Sequence, residues 1–252
     1  MNNFLILAFL FFIGCTAGWV LELFYRRFAP TNKSHKWINP GFLNGPYLPL
    51  YGFGLCIMFV LSECEGYLQI ENTAVSKLVT VLIMGAAMTL IEYIAGLIFI
   101  KGMHVKLWDY SKRWGNIDGI ICPLFSLFWT ALSALYLVFI HPGVRAALSW
   151  FADNLAFSFV IGFFFGVFSI DVAWSFSIVS KIKAAAEEYH VLVRYEEFKE
   201  HIREYAEASR EKYAFLFAFS SKLSIRDHIR SYAEGLKKMG TAPFTEKRKK
   251  KE

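Results

Sequence analysis

The chain has 252 residues, with 27 Lys and Arg against 21 Asp and Glu, and 56% of it is hydrophobic and 18% aromatic. Its charge is divided unevenly: residues 1–180 hold 10 basic and 9 acidic side chains, whereas residues 181–252 hold 17 and 12. That division excludes a soluble globular domain, a disordered chain, a collagen and a disulfide scaffold, and it describes a membrane-embedded segment with a charged tail.

Five apolar runs follow in chain order, near Phe4–Phe24, Pro46–Leu61, Leu78–Ile100, Ile120–Ile140 and Leu155–Val179. Crossing roughly 30 Å of hydrocarbon takes about 20 helical residues. The runs are continuous and not alternating, so helices are expected in place of barrel strands. The second run is short and contains Pro46, Pro49, Gly52 and Gly54. It predicts a kinked or partly re-entrant segment, whose freed backbone groups need protein or water partners. The expected fold class is all-α: a polytopic bundle of about five transmembrane helices over 1–180, cytoplasmic amphipathic helices over 181–240 and a basic disordered tail over 241–252.

Phe12-Ile13-Gly14-Cys15 resembles a lipoprotein cleavage site, but no positive stretch precedes it, so the first span is expected to be retained. The four cysteines, Cys15, Cys56, Cys64 and Cys122, form no CxxC pair and read as small apolar packing residues. Lys and Arg set orientation. Arg26, Arg27, Lys33 and Lys36 follow the first span, and Lys101, Lys106, Lys112 and Arg113 follow the third. The second is followed by Lys77 among Glu63, Glu65 and Glu71, and the fourth by Arg145. This predicts a protein of the cell (inner or plasma) membrane, N-terminus outside and C-terminus cytoplasmic.

The two halves of the bundle share a pattern. Glu22, Trp37, Asn39 and Pro46 in the first correspond to Glu92, Trp114, Asn116 and Pro123 in the second, with equal Trp–Asn and Asn–Pro spacings. Both basic loops face one side, so the expectation is a parallel two-helix repeat, an arrangement that encloses sites at its interface.

Glu22, Glu92 and Asp171 lie inside apolar runs. An acid near the bilayer centre costs about 2.5–3.5 kcal/mol on insertion scales, and nothing about spanning requires it. Gly14 and Gly18 lead to Glu22 at helical spacing, and Gly85, Thr89, Glu92 and Gly96 share a face. Small residues so spaced let backbones approach, so both glutamates are expected to point into the bundle. Gly162 and Gly166 form a further packing pair. Bland readings stay open: Glu22 paired with Arg26 one turn on, Glu92 as a protonated structural acid, and Asp171 as a bundle anchor.

The loops are expected to complete a cytoplasm-facing cavity. Asn39 and Asn44 lie in the turn-rich Asn39-Pro40-Gly41-Phe42-Leu43-Asn44-Gly45-Pro46 segment, and Asp109 and Asn116 in its counterpart. Trp37, Trp108, Tyr110 and Trp114 fit an interfacial aromatic belt.

Gly18-Trp19-x-x-Glu22, Gly41-Phe42-Leu43-x-Gly45-Pro46 with Tyr51-Gly52, Glu92, Leu107-Trp108-Asp109-Tyr110-Ser111, Asn116-x-x-Gly119 and Asp171 occur in that order. In these motifs the chain, over roughly residues 10–180, resembles the putative ABC-transporter type IV group of bacterial membrane proteins, the CmpB-like permeases. The resemblance implies a permease-like membrane protein of undefined substrate. No GxxxxGK[ST] loop occurs, so an ABC-type role requires a separate ATP-binding subunit. There is no HExxH, GxSxG or Cys/His metal spacing, and neither metal nor cofactor is expected.

In the tail, Val191, Tyr195, Phe198, Ile202 and Tyr205, and then Ile225, Ile229, Tyr232 and Leu236, form apolar seams separated by a turn near Phe219-Ser220-Ser221. They suit a hairpin, packing under the bundle, a homo-oligomer or a soluble partner. Lys247-Arg248-Lys249-Lys250-Lys251 is expected to lie near anionic lipid, with no nucleic acid bound. The leading expectation is a transporter component in which Glu22, Glu92 and Asp171 line the cavity and set ion coupling. The alternatives are a membrane-embedded enzyme acting on a lipid or isoprenoid head group, and an assembly or sensor protein.

Overall fold

A computed structural model describes residues 2–29, 32–33, 35–209, 219 and 221–238. The basic cluster at 247–251, and Ser220 of the expected turn, lie outside the described residues. Among the described residues the fold is all-α apart from one two-stranded pairing and an isolated bridge between Ile117 and Ile121. Its helices are α1 (Asn3–Phe28), α2 (Pro49–Glu63), α3 (Thr73–Leu97), α4 (Pro123–Leu135), α5 (His141–Asp153), α6 (Ser158–Tyr189), α7 (Tyr195–Ala208) and α8 (Ile225–Lys238). Single π-helical turns extend α3 through Ile98–Gly102 and join α4 to α5 through Tyr136–Ile140. Among the described residues four helical stretches are long and apolar enough to cross a membrane: Asn3–Phe28, Thr73–Gly102, Pro123–Asp153 and Leu155–Tyr189. α2 is the shorter apolar helix, and its 15 residues span about 22 Å.

Two compact units result, Met1–Ala95 with Tyr110–Asp171, and Gly96–Asp109 with Val172–Glu252. In the first, α1 and α2 lie antiparallel in near contact. Proline at N1 starts α2 without wasting a backbone donor. A Cβ on Gly14 would sit 2.8 Å from the Tyr51 carbonyl oxygen and 2.9 Å from the Gly52 Cα; one on Gly18 would collide with the Tyr51 ring, and one on Gly52 with the Cys15 sulfur. α3 meets α4 in the same way, where a Cβ on Gly85 would collide with Thr130. Gly162 and Gly166 have no atom within 4 Å of an added Cβ, so among the described residues nothing packs on them.

One face of α3 is buried at every fourth residue: Ser76, Thr80, Met84, Met88 and Glu92. The opposite face, with Leu78, Leu82, Leu90 and Ile94, is exposed, the distribution expected where lipid replaces water. Met58, Met84, Met88 and Tyr136 form one buried cluster, with Trp129 packed against it. Another joins Phe9 of α1 to Phe151 of α5, their rings stacked at 4.6 Å.

In the second unit α6 does not run on into the tail. It ends at Tyr189, His190 takes a left-handed conformation (φ 52°), and Val193–Arg194 pairs in parallel with Val105–Lys106. The Tyr195, Phe198 and Ile202 seam of α7 is buried. Phe198 meets Tyr232 of α8 edge-on at 5.6 Å, and the Tyr232 hydroxyl donates to Glu197 at 3.2 Å. α7 and α8 therefore pack on each other through their seams.

Candidate functional site

Glu22 lies near the end of α1 and Glu92 near the end of α3, and each accepts from an aromatic donor on the next helix. The Tyr51 hydroxyl of α2 donates to Glu22 Oε2 at 3.0 Å, and the Trp129 indole of α4 donates to Glu92 Oε2 at 2.9 Å. The two donors touch, their rings 6.1 Å apart and edge-on. One chain thus runs Glu22–Tyr51–Trp129–Glu92.

The two carboxylates differ in charge surroundings. Glu22 Oε1 is paired with Arg26 Nε at 2.9 Å, both side chains partly exposed. Glu92 is 3% exposed, and its two donors are neutral: the Trp129 indole and the Tyr110 hydroxyl, the latter at 3.1 Å. Tyr110, expected in an aromatic belt, instead stacks on Phe125 at 4.2 Å and caps Glu92. Burial, and then the Glu92 and Glu22 charges, hold its hydroxyl far above the usual tyrosine range, so it stays a donor at any physiological pH. Trp114 is fully open and Trp37 stacks under Arg27, whose guanidinium carbon lies 4.2 Å from its ring centre; both suit an interface.

Asp171 performs a different task. Its carboxylate accepts from the Asn44 backbone (3.0 Å), the Asn44 side-chain amide (2.8 Å), the Gly45 backbone (2.8 Å) and the Tyr47 hydroxyl (2.7 Å). It clamps the loop entering α2. Asn39, 5% exposed, shapes the same loop: it accepts from Trp19 Nε1 at 2.7 Å and donates to the Asn44 carbonyl at 3.0 Å. Gly41 turns this loop at φ 78°, a conformation glycine adopts without steric penalty.

Asn116 plays the matching part in the second loop. It donates to the Arg113 carbonyl (2.7 Å) and accepts from the Gly119 backbone (3.0 Å). Asp109 lies in the second unit, where it joins Lys106 at 3.2 Å and Arg194 at 3.3 Å across the strand pairing. Among the described residues no three His, Cys, Asp or Glu are placed to hold a metal ion.

Sequence reasoning passed over Tyr47, Tyr51 and Trp129 as donors. Their signal was present: hydrogen-bonding aromatic tips within or beside apolar runs that also carry acids. A model of the family described as Putative ABC-transporter type IV matches residues 9–176. No curated protein and no solved structure matches the chain.

Proposed function

The chain belongs to the putative ABC-transporter type IV family and is a multi-pass membrane protein; on that premise we propose that it is the membrane component of a transporter, with a cytoplasm-facing polar centre at Glu22 and Glu92. The observation that carries this reading is the Glu22–Tyr51–Trp129–Glu92 chain. Packing alone requires no acid in these helices, and an isolated one is costly. Here two are joined through touching donors, one neutralised by Arg26 and one held by neutral groups alone. Glu92 is the group that takes up a proton or a cation, and Tyr51 and Trp129 relay its charge state to Glu22.

The Asp171 clamp and the two asparagine-pinned loops position the cytoplasmic rim, and the orientation is N-terminus outside. The chain carries no phosphate-binding loop, so energy from ATP comes from a separate subunit. Purification of the tagged protein from native membranes in mild detergent, with mass spectrometry of what accompanies it, tests this. A nucleotide-binding ATPase in near-stoichiometric amount is expected. Recovery of the protein alone would contradict an ABC-type component.

A further inference from the structure

A second polar cluster lies in the same unit, where α2 ends. His141 uses both ring nitrogens: Nδ1 lies 3.2 Å from the Tyr136 hydroxyl and Nε2 lies 3.3 Å from Glu63 Oε1. The π-helical turn at Tyr136–Ile140 sets Tyr136 and His141 face to edge, 5.6 Å apart; such turns recur at functional sites. Tyr136 is 2% exposed, whereas Glu63 is open. The cluster therefore leads from the surface to a sealed hydroxyl.

We propose that Glu63, His141 and Tyr136 form a proton-loading site at the end of the bundle opposite the glutamate pair. Histidine is the side chain whose ordinary titration lies nearest neutrality. The hydrogen bonds close in both of its charge states. In the neutral ring, Nε2–H donates to Glu63 and Nδ1 accepts from the Tyr136 O–H. A proton from the aqueous phase on that side then binds Nδ1, and the new Nδ1–H donates to the Tyr136 oxygen.

The Tyr136 hydrogen then turns away from Nδ1 toward the neighbouring Ser62 side chain at the end of α2. Ser62 Oγ can accept it, because its own hydrogen goes to the Met58 carbonyl at 2.7 Å. No bond to carbon changes, and the added charge faces the Glu63 carboxylate. The other charged and titratable groups facing the ring are Arg145, whose Nε is 3.8 Å from the same Glu63 oxygen, and Glu65 beyond it; Cys56 lies toward Tyr136.

The site connects with the glutamates along one helix. Tyr136, Ser133 and Trp129 share a face, and the Ser133 hydroxyl donates to the Trp129 carbonyl at 2.8 Å. Seven residues of helix put Tyr136 about 10 Å from Trp129, the donor to Glu92. Turning the Tyr136 hydroxyl changes the field in the methionine cluster that both aromatics share. This coupling rests on the reading of Glu92 as the ion-binding acid; proton loading at His141 does not.

The test uses the full chain in lipid nanodiscs, ¹⁵N-labelled at His and Trp, with His141→Gln and Trp129→Phe assigning the two signals. Between pH 8 and 5 the His141 nitrogens are expected to convert to the doubly protonated form, and the Trp129 indole N–H to shift with the same midpoint. Tyr136→Phe keeps the ring in its cluster and should leave His141 titrating while abolishing the Trp129 shift. Glu63→Gln should remove the doubly protonated signal at pH 5. A His141 ring in one state from pH 4 to 9 overturns the site. Titration of His141 with Trp129 unmoved overturns the coupling. Neither result bears on co-purification of an ATPase, so failure here and failure of the transporter reading are separable.

Discussion

At the scale of single residues, three acids in similar sequence surroundings have three different settings. Glu22 has a cation, Glu92 two neutral donors, and Asp171 a ring of loop donors. Sequence patterning locates an intramembrane acid and, for Glu22, the Arg26 partner one turn on. The remaining partners were hidden, because they come from helices and loops 18 to 127 positions away. Asp171→Asn turns an acceptor of several hydrogen bonds into a group that also donates. Charge-assisted bonds contribute about 1.5–3 kcal/mol each, so this variant should lower the unfolding midpoint in detergent more than Tyr47→Phe, which removes one donor. An equal or smaller loss in Asp171→Asn would refute the clamp.

At the scale of elements, glycines decide which helices touch. Gly18→Leu must push Tyr51 and the α2 backbone away from α1, and overpacking of this kind costs about 1–3 kcal/mol. Gly162→Leu meets open space and should leave the unfolding midpoint nearly unchanged; equal destabilisation by the two would contradict the packing described. The glycine spacings were legible in the sequence, but which had a partner was not, since helical phase alone does not say what a face meets. The break after Tyr189 was also hidden: Glu- and Lys-rich residues continue on both sides, and the parallel pairing of Val105–Lys106 with Val193–Arg194 joins segments remote in sequence.

His201 of α7, its ring 5.9 Å from that of Tyr232 on α8, carries a pH prediction. Burial holds the His201 imidazole below its ordinary value, with Glu204 opposing. The unfolded chain then binds the proton more readily, so this contribution to stability is complete above about pH 6.5 and is lost as pH falls below it. The purified protein should show its tail helices melting earlier at pH 5 than at pH 7.5 by circular dichroism, and His201→Gln should lessen the difference. An unchanged difference in that variant would assign the effect to other groups.

At the scale of the whole molecule, the helical class and the family were legible, because hydrophobic composition and motif order are properties of the chain itself. The number of spans was not: five were expected and four described helices are long and apolar enough, the Pro- and Gly-bearing second run giving only the shorter α2. Topology supplies a direct check. Cys64 is exposed at the end of α2, whereas Cys15 and Cys122 are buried. With the N-terminus outside, a membrane-impermeant maleimide should label Cys64 on intact cells and Cys64→Ser should remove the signal. Labelling that appears only after lysis would reverse the orientation.

Whether Glu92 is the ion-binding acid of a functional pair can be decided in native membranes without knowledge of the substrate. A hydrophobic carbodiimide reacts with protonated carboxyl groups in apolar surroundings, and peptide mass spectrometry locates the adduct. Modification of Glu92 is expected, declining as pH is raised and lost in Glu92→Gln, while Glu22, paired with Arg26, remains unmodified. An unmodified Glu92 throughout, or preferential reaction at Glu22, would contradict the account.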